Sequence, residues 1–194
     1  MTPFKGKNKG TSPFGPRTSP ITGRAEQHRG QDITAPDGDW QVREVTGGTV
    51  LRVTSDQWRG KYVDVQTKPG TFERYQHMDA IYVTVGQKVP QGTVLGMAGS
   101  TGDVTGRHLH FGVYQGGSAE ANAVNPAAWS DVPNTVGTHP GDDNLDGATP
   151  APVPPPTTTL YEFNGIIAST GDAADLEALL AEKQLTYMKK EVSA

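Results

Sequence analysis

The chain has 194 residues, of which 34% are hydrophobic and 7% aromatic, which suits one domain with a modest core and a smaller unit. It contains no cysteine, which excludes disulfide scaffolds and thiolate metal sites, so any metal must be bound by His, Asp or Glu. Residues 1–132 hold 14 Lys and Arg against 12 Asp and Glu, and residues 133–194 hold 3 against 9. Neither part has the strong positive charge that is typical of nucleic-acid binding.

The first 27 residues are rich in Gly, Pro, Ser and Thr and contain few apolar side chains. They predict an extended lead-in with an ordered turn at Ser12–Arg17. Met1–Lys7 has no apolar run of the kind found in signal peptides, and no stretch reaches the length of a membrane span. We therefore expect synthesis in the cytoplasm without a signal peptide, so that action outside the cell would need release by another component.

Short alternating runs separated by glycine and proline turn signals follow from Asp32 onward. They predict seven strands, at Trp40–Val45, Thr49–Thr54, Lys61–Gln66, Phe72–Met78, Tyr82–Val85, Val94–Met97 and His108–Tyr114. Strands this short and this closely spaced favour a mostly β domain, built as an antiparallel β-sandwich or open barrel. Asn125–Trp129 is expected to close the domain, with Trp129 packed against it.

A proline-rich segment divides the chain after the β domain. Residues 133–158 contain seven prolines and predict a linker, partly stiffened as polyproline II. Residues 159–194 predict a small β-α-β module, with a strand at Tyr161–Ala168, a helix at Asp172–Lys183 and a strand at Leu185–Met188. A module of this size needs further packing to be stable, so we expect it to self-associate or to bind another partner.

The stretch from Gly102 to Val113 leads from a glycine-rich turn into a strand. Residues two apart in a strand point to the same face, so His108 and His110 lie side by side while Leu109 and Phe111 point away. Two imidazoles on one face suit a metal or proton-transfer site. A pair of surface histidines is the alternative that this motif alone leaves open.

Two further histidine motifs precede this pair in the chain. His28 and Asp32 are four residues apart and would share a face if the chain between them is extended. His77 lies near the end of another predicted strand. Each motif is weak alone, but together, in this order on a β-rich chain, they indicate one site.

From about Ser12 to Trp129 the chain resembles the lysostaphin-type (LytM-like) zinc endopeptidases of peptidoglycan. The resemblance rests on the F-G-P-R lead-in, the H-x-x-x-D motif, the Y-x-H segment, the stretch Val85–Val89 with later glycines, and the closing S-T-G to H-L-H-F segment. Met78 stands where the family usually has Leu, a mild packing change. Some members use a tyrosine shortly before the first ligand, and none precedes Tyr62 here, which leaves the oxyanion-stabilising residue open.

The resemblance implies that His28, Asp32 and His110 bind zinc (Zn²⁺) and that His77 and His108 are catalytic. Three protein ligands leave a fourth position for water, whose pKa zinc lowers from about 15.7 towards about 7. Because the chain lacks a glutamate base of the H-E-x-x-H kind, His77 and His108 would move the protons.

The function that the resemblance implies is hydrolysis of peptide bonds in bacterial peptidoglycan. A catalytically silent relative that binds the wall, or activates another hydrolase, is a second hypothesis. A structural metal site in a carbohydrate-binding module is a third, and it would not require His77. The arrangement of domains resembles that of a bacteriophage endolysin, with a virion-associated lysin or an autolysin as alternatives. The sequence does not specify which bond is cut.

Overall fold

A computed structural model describes residues 1–142 and three later strands, and it divides the chain into two units, Met1–Pro152 and Val153–Ala194. The strands are β1 (Asn8–Ser12), β2 (Gly15–Thr18), β3 (Ala25–His28), β4 (Gln31–Thr34), β5 (Gln41–Arg43), β6 (Gly47–Asp56), β7 (Gly60–Lys68), β8 (Thr71–Ile81), β9 (Lys88–Pro90), β10 (Val94–Ala98), β11 (Leu109–Gln115), β12 (Ala123–Val124), β13 (Gly137–His139), β14 (Thr159–Phe163), β15 (Ile166–Thr170) and β16 (Met188–Lys190). The described helices are short, a 3₁₀ turn at Glu120–Asn122 and α1 at Ala127–Ser130.

One antiparallel sheet of 11 strands forms most of the first unit, in agreement with the predicted fold class. Its main order is β13-β1-β4-β11-β8-β7-β6-β9, with β10 pairing both β5 and β8 and with β12 pairing β11. The long strand β8 is the branch point, since its first part pairs with β11 and its last part with β10. β2 and β3 form a separate hairpin. This topology brings β4, β11 and β8 together at the centre of the sheet.

The hydrophobic core lies on one face of these central strands. The alternation in β11 is as predicted, with Leu109, Phe111 and Val113 fully buried and the histidines on the other face. Tyr75 of β8 packs against Phe111 at a ring-centroid distance of 5.1 Å. Each fully buried large apolar side chain of this kind contributes about 1.5–3 kcal/mol. Trp129 of α1 packs against this core, as expected from its position at the end of the domain.

The first 27 residues are not an extended lead-in with a turn at Ser12–Arg17. They form β1, which is paired with β4, and then β2, which begins at Gly15 inside the expected turn. Phe4 is fully buried in the core and contacts Trp40 edge-on. The buried positions of β1 are Asn8 and Gly10, and the strand is held by backbone pairing. It therefore lacks the alternation of apolar and polar side chains by which a strand is predicted from sequence.

The bounds of the middle strands differ from the prediction at two places. Tyr82–Val85 is not a strand, because β8 runs on to Ile81 and the next short strand is β9. His108 lies just before β11, joined to Gly99 by an isolated bridge. The other predicted strands are present with shifted ends.

The predicted linker does not begin at residue 133, because the chain after it rejoins the main sheet. β13 pairs with β1 in the register His139 to Asn8. The carbonyl of Pro133 accepts a 2.6 Å hydrogen bond from Nε2 of Gln31. These contacts place residues 133–139 in the first unit.

The described strands of the second unit differ from the prediction at the first strand. The predicted strand Tyr161–Ala168 is an antiparallel pair, β14 and β15, with Phe163 opposite Ile166. β16 pairs with β14 and begins at the last residue of the predicted strand Leu185–Met188. The predicted helix Asp172–Lys183 lies outside the described residues. Within the part of the chain that the structure describes, no helix has the length and apolarity needed to cross a membrane.

Candidate active site

Three strands supply the side chains of the predicted metal site. Asp32 of β4 lies directly opposite His110 of β11 in the antiparallel register. His28 ends β3, and the chain turns at residues 29–30 before β4 begins. His28 and Asp32 therefore do not share the face of one extended strand, as the sequence suggested, but face each other across this break. The break is possible because β3 pairs with β2 in a separate hairpin.

The donor atoms of these residues form a compact triangle. Nε2 of His28 is 3.2 Å from Oδ1 of Asp32, which is 2.9 Å from Nδ1 of His110, and the two nitrogens are 3.1 Å apart. Donors on one tetrahedral zinc at about 2.0–2.1 Å lie about 3.3 Å from one another. The observed triangle is close to that size, and two imidazoles with one carboxylate are a donor set that zinc prefers.

Neighbouring groups fix which atom each ligand presents. Nδ1 of His28 lies 2.8 Å from the carbonyl of Pro13, to which it donates, so Nε2 is left free for a metal. Arg17 donates from Nη1 to Oδ2 of Asp32 at 3.1 Å, so Oδ1 remains on the side of the histidines. Burial alone would raise the pKa of Asp32, but the adjacent imidazoles of His110 and His28 hold that pKa well below its usual value.

His77 lies beside the triangle within β8 and is held at two points. Its backbone N–H donates to the carbonyl of Arg59 at 2.9 Å, and its Nδ1 lies 3.0 Å from the carbonyl of Thr101. Its φ angle is 64°, a left-handed conformation that is uncommon for a residue with a side chain and that is found at functional sites. Burial and the neighbouring rings of His110 and His108 lower the pKa of His77 to about 3. His77 is therefore neutral, with its proton on Nδ1 and with Nε2 able to accept another.

His108 also lies beside the triangle. Its Nδ1 is 2.8 Å from the carbonyl of Gly106, and its Nε2 is 3.6 Å from Oδ1 of Asp32. The rings of His77 and His108 have centroids 4.8 Å apart. The structure thus brings together all five side chains that the sequence motifs single out: His28, Asp32, His77, His108 and His110.

Gly30 contributes to the site in a way that the motifs did not reveal. A Cβ atom at this position would lie 2.3 Å from Nε2 of His110 and 2.7 Å from the carbonyl oxygen of Phe111. The His110 ring therefore occupies the space that any side chain at residue 30 would need. The glycine itself is visible between His28 and Asp32, but its contact with a residue 80 positions away is not.

Two open hollows border the site. One, of about 410 Å³, is lined by Thr11, Thr18, Thr105, Arg107 and His108, among others. The second, of about 390 Å³, is lined by His77, His110, Arg29, Trp58 and Asp103, among others. Arg17 borders both. Both hollows therefore adjoin the triangle, since Asp32 also lines the first and His28 also lines the second.

The fold and the three donors define a metallopeptidase-like centre, and comparison with known proteins agrees. Residues 26–126 match the model of peptidase family M23, so the chain belongs to this family. Over 104 residues it is 39% identical to peptidoglycan DD-endopeptidase ShyB of Vibrio cholerae, covering 53% of this chain and 24% of ShyB. The chain thus spans about a quarter of the length of that relative.

Two solved structures have the same fold. The structure of LytU superposes with a TM-score of 0.57 at 31% identity, covering 64% of this chain and 85% of LytU. A zinc-containing peptidase from Vibrio cholerae superposes with a TM-score of 0.54 at 35% identity, covering 61% of this chain and 36% of that chain. Zinc is the cofactor indicated by the family, and the triangle of His28, Asp32 and His110 fits it.

Proposed function

We propose that this protein is a zinc endopeptidase that cuts cross-linking peptide bonds in bacterial peptidoglycan. The observation that carries the proposal is the donor triangle of zinc size with two further histidines beside it. A structural metal site needs no such neighbours, because its ligands alone complete it. The name of the DD-endopeptidase relative supports a bond between two D-centres as the bond that is cut.

In this proposal His28, Asp32 and His110 hold the zinc, and Arg17 orients the Asp32 carboxylate. When bound, zinc lowers the pKa of a coordinated water from about 15.7 towards about 7 and polarises the scissile carbonyl. Three protein ligands leave room for that water.

His77 and His108 move the protons. Each donates from Nδ1 to a backbone carbonyl, of Thr101 and Gly106 respectively, so each presents an unprotonated Nε2 to the site. One Nε2 accepts the proton of the attacking water, and the protonated ring then supplies a proton to the departing amine. Burial, together with the neighbouring rings of His110 and His108, keeps His77 neutral.

The test separates metal binding from catalysis in one set of variants. His28→Ala, Asp32→Ala and His110→Ala are expected to lose bound zinc and cleavage, because each removes one of three protein ligands. His77→Ala and His108→Ala are expected to keep zinc and to lose activity by about a hundredfold or more. Zinc is measured by mass spectrometry of the metal and cleavage on purified cell walls. Stoichiometric zinc in His110→Ala would contradict the ligand assignment, and an inactive wild-type protein with full zinc would identify the catalytically silent relative.

We further propose an endolysin-like setting, in which the protein is held in the cytoplasm and reaches the wall after release. The division into a first unit with the site and a smaller second unit supports it. Expression in a bacterial host tests this setting: cells should lyse only when the membrane is permeabilised. Lysis that needs no permeabilisation would contradict it.

A further inference from the structure

The tip of the β6–β7 hairpin presents a tryptophan beside the proposed catalytic histidines. Trp58 is 62% exposed, although most large apolar side chains of this unit are buried. It lines the same hollow as His77, His110 and Asp103. An exposed aromatic side chain at the edge of a site is a common means of binding a substrate, because its flat face covers a large area with few rotatable bonds.

The backbone that carries Trp58 is fixed from two sides. Oδ1 of Asp56 accepts the N–H groups of Trp58 and Arg59 at 2.9 and 2.7 Å. The carbonyl of Trp58 accepts the N–H of Asp103 at 3.1 Å. The indole is therefore presented from a fixed position, and substrate binding need not order the backbone of the tip.

Two charged side chains of this hollow have no ion-pair partner among residues 1–142. Arg17, Glu26, Arg59 and Glu120 line it too, but each is engaged in an ion pair. Among residues 1–142, neither Arg29 nor Asp103 takes part in a salt bridge or in a side-chain hydrogen bond. Within the described residues, the hollow therefore offers an apolar face and the unpaired charges of Arg29 and Asp103.

We propose that Trp58, Arg29 and Asp103 form the subsite for the diamino acid that cross-links two stem peptides. This inference rests on the proposed function. The methylene chain of the diamino acid packs on the indole, Asp103 accepts its N–H, and Arg29 binds its free carboxylate. The substrate is thus a cross-link built on a dicarboxylic diamino acid, such as diaminopimelate. Lysine lacks that carboxylate, and a glycine bridge offers neither the carboxylate nor the methylenes.

A matched pair of cross-linked dimers tests the inference, one with diaminopimelate and one with lysine at the cross-link. The wild-type protein should cleave the diaminopimelate dimer with a KM roughly tenfold lower than that of the lysine dimer, because only the former can accept the charge-assisted hydrogen bond from Arg29. Arg29→Gln should bring the two KM values together. Trp58→Ala should raise KM about tenfold on both dimers with kcat nearly unchanged, and Trp58→Phe should restore most of the loss.

The controls are Arg24→Gln and Val85→Ala, which change an exposed arginine and an exposed valine outside both hollows. They should leave both KM values as in the wild type. If the wild-type protein cleaves both dimers equally, and Arg29→Gln and Trp58→Ala match the controls, the subsite is wrong while the proposed function stands. If the zinc-loaded wild-type protein cleaves neither dimer, the proposed function itself fails.

Discussion

At the scale of single residues, the site depends on the absence of a side chain at Gly30. The ring of His110 lies where a Cβ of residue 30 would be, at 2.3 Å from its Nε2. The carbonyl of Phe111 closes the same space at 2.7 Å. His110 can therefore present Nδ1 to Asp32 only because residue 30 is glycine.

We expect Gly30→Ala to weaken zinc binding by about 10–100-fold, the scale for a change that displaces a metal ligand. The physical reason is that backbone on one side and the ligand ring on the other leave the methyl group no room. Zinc affinity is measured by competition with a chelator. Gly106→Ala is the matched control, because a Cβ there meets no atom within 4 Å, and equal affinity in both variants would contradict this account.

A second prediction concerns two acidic side chains that are not part of the site. Glu44 and Glu73 are fully buried, and within residues 1–142 Oε2 of Glu44 has no hydrogen-bond partner. Oε1 of Glu44 accepts the N–H groups of Thr46 and Gly47, and Tyr75 donates to Glu73 at 2.8 Å. Burial, and next the nearby charge of Glu73, raise the pKa of Glu44 well above its model-compound value of 4.5.

The folded protein therefore holds a proton on Glu44 that the unfolded chain releases above about pH 4.5. The stability from this group is fully present below that pH and is lost as pH rises towards the raised pKa. Where the folded state binds one proton more than the unfolded state, the free energy of unfolding falls by about 1.4 kcal/mol per pH unit. Glu44→Gln keeps Oε1 and should remove this slope, so the urea midpoints of variant and wild type should diverge as the pH rises above about 4.5. Parallel midpoints across this range would show that Glu44 titrates normally.

At the scale of elements, the β6–β7 hairpin and the loop after β10 hold His77 between them. Arg59 supplies the carbonyl for its N–H and Thr101 the carbonyl for its Nδ1. Glu120, in the 3₁₀ turn that follows β11, ties Arg59 to the buried Arg74 through Oε1, at 2.8 and 2.9 Å. Arg74 is paired with buried Asp64, so the hairpin tip is joined to the interior of the sheet.

Glu120→Gln should therefore lower kcat about tenfold without loss of zinc, because a small displacement of His77 costs activity steeply. KM should rise as well, since Trp58 lies on the same tip. Steady-state kinetics on a cross-linked dimer and zinc content are the measurements. The control is Asp37→Asn, which removes an exposed carboxylate that pairs with Lys7 outside both hollows. It should change neither the kinetic constants nor the zinc content. A Glu120→Gln protein with wild-type kcat would exclude this role.

The elements also show what the sequence could predict. The shared face of His108 and His110 could be predicted, because alternation along a strand alone places Leu109 and Phe111 on the other face. The way in which His28 faces Asp32 could not be predicted, because it depends on a break between two strands that belong to different sheets. Strand β1 was missed because backbone pairing, rather than apolar alternation, holds it.

The hairpin of β14 and β15 had a signal that was overlooked. Phe163 and Ile166 pair across Asn164-Gly165, a dipeptide that favours tight hairpin turns. Strand β13 had none, since it lies in a proline-rich segment and pairs with a strand more than 120 residues earlier. Long-range pairing of this kind leaves no mark on local sequence.

At the scale of the whole molecule, the second unit is expected to self-associate. Residues 159–194 contain Phe163, Ile166 and Leu176 among other apolar residues, but no cysteine that could stabilise so short a unit. The full-length protein should then be at least a dimer at micromolar concentrations, measured by light scattering. A chain ending at Pro152, which keeps β13, should be monomeric, bind zinc and lyse intact cells less well through lost multivalency. A monomeric full-length protein would contradict this prediction.

The central claim is that one zinc, held by His28, Asp32 and His110, hydrolyses a peptidoglycan cross-link with the help of His77 and His108. The most direct measurement is mass spectrometry of a purified cross-linked muropeptide dimer after incubation with the zinc-loaded protein. The account predicts conversion of the dimer into its two monomers, no conversion after zinc is removed by a chelator, and recovery when zinc is returned. A dimer left intact by protein that carries one zinc per chain, or cleaved equally well after zinc removal, would contradict it.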